Sequence, residues 1–374
     1  MTSRQFYIML CIGVISMKMQ KLPSLVCGEY GKDGYVLFGL YMLVNILSII
    51  VVFFVLKHVK LENILAPSKN KEICFFRRLI LFVSAVYFLS QALLLYEHIQ
   101  GLFANTLFDN LSWALFSLLL IFAVFFLAHR GVENIALNFE IYVWIIIGSY
   151  VLISILALNH TDLSNILPVQ TINLKNIVSS LPSYSFWFGD AFLVLILGLK
   201  SKDIKLSKTL LVYMGAMFFM SLLVIEFFGM YGEYAEVQSG LISVLTTQSL
   251  LGLNIGRLDW FLIVFAEIGA ILSCAVYLYF SNLSLCNVFT KARPFHLKLI
   301  LIVVLYILDV FYFVDMSVKI NVFHLQGYWF AYGLQIIIFI SMIIVALYYK
   351  SKRKGLSTIT KTPQRNSKIS KRRV

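Results

Sequence analysis

The chain has 374 residues, 60% of them hydrophobic and 13% charged, with a mean hydropathy of +0.87 and a formal net charge of +13. That apolar share is far above that of soluble domains, and the apolar residues come in long runs rather than at periodic spacing. An ordinary soluble domain is excluded, and so is a transmembrane β-barrel, whose strands alternate over about ten residues; the expected class is an all-α, polytopic integral membrane protein.

A membrane-crossing helix needs about 20 apolar residues. On that length scale about ten spans are expected in chain order: Gln5–Val26, Tyr35–Leu56, Leu79–Ile99, Ser112–Ala128, Ile141–Leu158, Ser183–Leu199, Thr209–Tyr231, Leu258–Phe280, Leu297–Val318 and Tyr328–Tyr349. Arg4 ahead of the first apolar run superficially suggests a signal peptide. Lys18 and Lys21 interrupt that run and no small-residue cleavage site follows, so a retained first helix is expected.

Lys and Arg collect in alternate connections: Lys57 to Arg78, Lys200 to Lys208, Lys291 to Lys298, and the tail. The other connections carry the acids Glu29, Asp33, Asp109, Asp162, Glu226, Glu233 and Glu236. With an even number of spans, the positive-inside bias places both termini in the cytoplasm. Val237–Leu253 has the composition of a short helix over the outer entrance or of a loop helix packed on the bundle. From Lys350 onward there are ten Lys or Arg and no acid. This segment, 350–374, is expected to be a disordered cytoplasmic tail, lying on the anionic leaflet or touching a partner's cytosolic domain.

Polar residues inside the apolar runs carry the functional information. An ionised side chain at mid-bilayer costs at least about 2.5 kcal/mol, so it marks a protein-lined or watery site by default. The sixth span, SYSFWFGDAFLVLILGLK, opens after Pro182, is interrupted by Gly189 and contains Asp190. The first span is blemished by Gly13, Ser16, Lys18, Lys21 and Pro23. One interrupted segment opening each half of a chain is the pattern of a secondary transporter built from inverted repeats. The expected breaks are Gly13–Ser16 and Phe186–Gly189, where free backbone N–H groups suit a carboxylate and free carbonyls suit an ammonium or a cation. Together they fit the two ends of a zwitterionic amino acid.

Lys18 is expected to pair with Asp190 or Glu267, because first, sixth and eighth spans line the centre of that architecture; otherwise it snorkels to the outer interface. Glu267 belongs to the site or hydrogen-bonds a neighbouring helix, and Asp309 is the more peripheral intramembrane acid. Ser84, Tyr87 and Gln91 share one face of the third span, as an interhelical seam or as ligand contacts. Phe186, Trp187 and Phe188 either roof a small ligand or place Trp187 in the interfacial belt. No phosphate loop, zinc-protease motif or nucleophile elbow is present, so no enzyme is expected. Cys11, Cys27, Cys74, Cys274 and Cys286 form no Cys-x-x-Cys and no ligand spacing with the histidines, so neither disulfides nor a metal site nor another cofactor is expected.

Several stretches, in order, resemble one family. They are TSRQFYIMLCIGVISMKMQKLPSLVCGEYGKDGYV, HRGVENIALNFEIYVWIIIG, DLSNILPV, SFWFGDAF and RLDWFLIVFAEIGAILSCAVYLYFS. They are similar to the B subunits of spore germinant receptors, the endospore permease family of the amino acid–polyamine–organocation superfamily. The chain departs from that pattern with Asp190 where Glu is usual, Leu137 where Arg often stands, and NTLFDNLS without Thr-Pro. The resemblance implies a five-plus-five inverted-repeat, leucine-transporter-type bundle with broken first and sixth helices, its repeats covering about 5–159 and 183–349. It also implies a spore inner-membrane receptor working beside an A subunit and a lipoprotein C subunit, with the germinant held near Gly13, Ser16, Gly189 and Asp190. A proton or monovalent cation is a further partner, and nucleic acid is not. The alternative is a proton-coupled amino-acid permease in which Asp190 or Glu267 carries the proton and Lys18 replaces a sodium ion; a third is an assembly subunit with a vestigial site.

Overall fold

The computed structural model is described over residues 1–19, 22, 23, 26, 34–58, 71–106, 113–165, 189–201, 203–232, 234, 258–309 and 332–348. Its helices are α1 (Ser3–Lys18), α2 (Gly34–His58), α3 (Lys71–Thr106), α4 (Trp113–His129), α5 (Val132–Leu158), α6 (Asp190–Lys200), α7 (Leu206–Tyr231), α8 (Leu258–Val288), α9 (Pro294–Leu308) and α10 (Tyr332–Tyr348). Each expected span therefore finds its helix. Among the described residues, α2, α3, α5, α7 and α8 are long and apolar enough to cross a membrane unaided. The shorter helices include α1 with 16 residues and α6 with 11.

Local chemistry sets several ends. The Thr2 hydroxyl accepts from the Gln5 N–H while the Gln5 side chain accepts from the Thr2 N–H, a reciprocal box that satisfies donors the first turn leaves open. Between α4 and α5 the chain turns at Gly131, whose φ of 89° suits a residue without a Cβ. Beyond α5, Leu163–Asn165 forms a 3-10 turn clamped to the end of α7: the Asp162 N–H and the Asn165 side-chain amide both donate to the Gly229 carbonyl, at 3.1 and 2.7 Å.

The packing repeats after five helices. α1 lies on α7 as α6 lies on α2; α3 meets α4 as α8 meets α9; α4 meets α8 as α9 meets α3. The equivalent helices α1 and α6, α2 and α7, α3 and α8, and α4 and α9 also touch in pairs. This is the five-plus-five inverted-repeat arrangement. α1 is its axis: from Ile12 to Lys18 every side chain is buried. The periphery is apolar instead, with Leu47 on α2, Phe122 on α4, Trp144 on α5 and Phe218 on α7 all exposed, as lipid-facing side chains are.

The two ends of the bundle are chemically distinct. At one, Arg4 pairs with Glu140 at 3.2 Å, and the Lys205 N–H donates to the Tyr7 hydroxyl at 3.2 Å. The start of α1, the start of α5 and the basic α6–α7 connection therefore lie together. The turn Asp162–Asn165 and Gly229 lie at the other end of α5 and α7.

One expectation fails. Gly13–Ser16 is no break, for α1 runs unbroken through it and ends only after Lys18. The glycine serves packing instead: a Cβ on Gly13 would sit 3.0 Å from Leu193 Cδ2 of α6. Val237–Leu253, the segment 350–374 and the far part of Leu297–Val318 lie outside the described residues.

Candidate functional site

α1 ends with Lys18 in its last turn, and α6 begins with Asp190 in its first turn, behind Gly189 at the cap position. The two ends meet inside the bundle. Lys18 Nζ donates to both Asp190 oxygens, at 2.7 and 2.6 Å, and both side chains are buried. Asn45, midway along α2, donates a third hydrogen bond to Asp190 Oδ2 at 2.6 Å, and Tyr213 of α7 lies against the same carboxylate. The signs suit the backbone as well. The C-terminal end of a helix carries partial negative charge and favours the Lys18 ammonium, while the N-terminal end of the next favours the Asp190 carboxylate. Lys18 therefore pairs with Asp190, the first of its two expected partners, and does not snorkel to an interface.

Ser16 Oγ lies 2.9 Å from the Tyr150 hydroxyl of α5, which donates to the Ala266 carbonyl of α8 at 3.1 Å. Glu267 is fully buried on the same turn of α8 and within electrostatic reach of Tyr150. Close approach of α1 to α8 depends on Gly269, where a Cβ would sit 2.5 Å from Ser16 Oγ and 2.8 Å from Ile12 Cγ2. Ser16 and Glu267 thus belong to the α1–α5–α8 seam beside the junction.

Tyr87 and Gln91 bond each other within α3, the amide donating to the hydroxyl at 3.1 Å, and Gln335 of α10 donates to that hydroxyl at 3.0 Å. Ser84 turns to its own helix, donating to the Ile80 carbonyl. A cavity of about 320 Å³ between α2, α6 and α10 ties these groups to the junction. Its wall includes Tyr41, Asn45, Ser48, Ala191, Phe192 and Gln335. Asn45 connects it to Asp190; Gln335 connects it to Tyr87, whose ring also packs 5.1 Å from that of Phe192. The volume is at the lower end of small-molecule pockets.

The structure thus gathers Lys18, Gly189 and Asp190 at one point, with Ser16, Glu267, Tyr87 and Gln91 around it. Phe186 and Trp187 lie outside the described residues. Asn45, Tyr150, Tyr213 and Gln335 are functional candidates that sequence reasoning missed. Asn45 left a signal, a lone amide in the middle of an apolar span, which by cost alone needs a buried partner. Among the described residues no group of three or more His, Cys, Asp or Glu stands close enough to hold a metal ion.

A family model described as spore germination protein matches residues 1–318. The chain belongs to that family. Solved structures similar to this chain include two mutant forms of the manganese transporter of Eremococcus coleocola, 12% and 13% identical, each with a TM-score of 0.50. The matches cover 92% of this chain and 77% of each transporter chain. At that identity the likeness shows the fold, a leucine-transporter-type bundle. No curated protein sequence matches this chain. Family and fold together are those of a non-enzymatic, multi-pass membrane permease, related to spore germination.

Proposed function

We propose that this chain is the membrane subunit of a nutrient-germinant receptor, and that it binds an amino acid where α1 ends and α6 begins by opening the Lys18–Asp190 pair. The observation that carries the proposal is the pair itself. Two buried ions of opposite sign close the junction between two helix ends, beside a cavity that shares Asn45 with them. A zwitterion carries the same two charges. Its ammonium would take the place of Lys18 at Asp190, and its carboxylate would face the released Lys18 ammonium. One ion pair becomes two without an unpaired charge being left in the bilayer, which is the step that desolvation would otherwise forbid. An amine or a carboxylate alone leaves one buried ion without a partner.

Ligand entry in this scheme separates the end of α1 from the start of α6 and shifts the bundle between two arrangements. The family supports germination as the outcome of that shift; in this reading the shift is passed to A and C partner subunits in the spore inner membrane. The clustering of Lys and Arg in alternate connections supports cytoplasmic termini. The transporter fold supports the second reading, an amino-acid permease.

Proteoliposomes containing this chain alone separate the two. Saturable binding of a labelled amino acid without accumulation is expected for the receptor subunit. Accumulation driven by a pH gradient would replace it with the permease. Binding to neither wild type nor the Asp190→Asn variant, with A and C subunits also present, would remove the proposed site.

A further inference from the structure

A second buried carboxyl lies apart from the α1–α6 junction. Asp309 caps the C-terminal end of α9 and is fully buried. Its Oδ2 accepts a hydrogen bond from Ser117 Oγ of α4 at 2.7 Å. The Tyr96 hydroxyl of α3 meets Ser117 Oγ, also at 2.7 Å, and reaches the Ser117 carbonyl. With Tyr96 donating to that carbonyl, the Ser117 hydroxyl proton is free to point at Asp309. Gln100, one turn beyond Tyr96, lies against the carboxyl, while Oδ1 has no partner at hydrogen-bond distance. Among the described residues no Lys, Arg or His stands within ion-pair distance of Asp309.

The contrast with Asp190 is chemical. Asp190 has an ammonium on both oxygens and an amide donor besides. Asp309 meets only neutral donors, the Ser117 hydroxyl and the Gln100 amide beside it, in a bundle surrounded by hydrocarbon. An ionised carboxyl in such a place requires a countercharge. Among the described residues no second and third His, Cys, Asp or Glu join Asp309 to make a metal-holding group, and the side chains in contact with it are neutral. The remaining countercharge is a proton on the carboxyl.

We propose that Asp309 is a proton-binding site between α3, α4 and α9, occupied when the bundle is packed as described. The titratable groups around it are Tyr96 from α3, with Cys274 from α8 and Tyr306 from α9 in the electrostatic surroundings of Tyr96; α4 contributes the hydroxyl of Ser117. α4 and α9 are equivalent helices of the two repeats and touch each other. Loss of the proton places an uncompensated charge at that contact and loosens it, so occupancy of the site sets how tightly the two repeats are held.

The test is infrared difference spectroscopy of the full chain in liposomes, following the carboxylic-acid C=O stretch against pH. Wild type is expected to show a protonated-carboxyl band with an Asp309 component that disappears in Asp309→Asn and persists in Glu226→Gln. Asp309→Asn, a neutral isostere, is expected to keep the fold with an unchanged melting temperature. Ser117→Ala retains the carboxyl but deletes its donor, and should shift the band to higher frequency. A band identical in wild type and Asp309→Asn would overturn the proposal, as would a melting temperature sharply lowered by Asp309→Asn. A melting temperature that rises with sodium or potassium in wild type but not in Asp309→Asn would replace the proton with a metal cation.

Discussion

Lys18 and Asp190 would each cost about 2.5 kcal/mol or more as lone ions in a bilayer, and the fold accepts both because each cancels the other at 2.6 Å. Removing one partner leaves the other buried and uncompensated, at a cost of about 3–5 kcal/mol. Lys18→Met and Asp190→Leu are therefore each expected to lower the melting temperature sharply in detergent, and the double variant should recover most of the loss; additive losses would mean that the two do not act as a pair. This much was legible in the sequence, since two isolated charges in apolar runs call for each other. Asn45 and Tyr213 were not, because an amide or a phenol on a span gives no indication of which helix it faces until the helices are packed. Gly13 misled for a related reason. A glycine in an apolar run signals either a break or a close approach, and here it makes room for Leu193.

Helix contacts turn on a few such small residues. Gly269 lets α8 approach α1 where Ser16 meets Tyr150. Gly269→Ala is expected to cost about 1–3 kcal/mol by overpacking, read as a fall in melting temperature, whereas Gly215→Ala, with open space around it, should leave stability unchanged. At the other end of α5, Asn165→Ala deletes one of two hydrogen bonds to the Gly229 carbonyl, a loss of about 1 kcal/mol. The turn that presents Asn165 has its own pH dependence. The Ser164 N–H donates to Asp162 Oδ1 at 2.9 Å and holds that exposed carboxyl below its ordinary 3.8. A lowered value means that the contribution is present above 3.8 and is lost as pH falls through the lower folded value. Protection of the Ser164 amide, its exchange rate relative to the intrinsic rate at the same pH, should thus be present at neutral pH and lost only in that acidic range; equal protection at both would show that the carboxylate does not order the turn. Element positions followed from apolar run length alone, but their ends did not, because α3 and α8 extend beyond the apolar stretches that announce them.

Across the whole molecule, composition determined class and span number, and packing added what composition lacks: which helices meet. The recurrence of contacts after five helices was foreshadowed by one blemished span at the head of each half, yet only the fold shows that those blemishes face each other. The charge distribution predicts that cysteines introduced at Asp203 and at Thr2 react with an impermeant reagent from the same side of the membrane, and one at Asp162 from the opposite side. Labelling of Asp203 and Asp162 from one side would require a different crossing of α5 and α7.

The central claim is that a zwitterion opens the Lys18–Asp190 pair. Its most direct test is equilibrium binding of a labelled amino acid to the purified chain, in competition with matched analogues that lack either the amino or the carboxyl group. The account predicts that intact amino acids compete and that neither analogue does, with binding lost in Asp190→Asn. Equal competition by an analogue carrying one charge would contradict it, because such a ligand has no need of both ions.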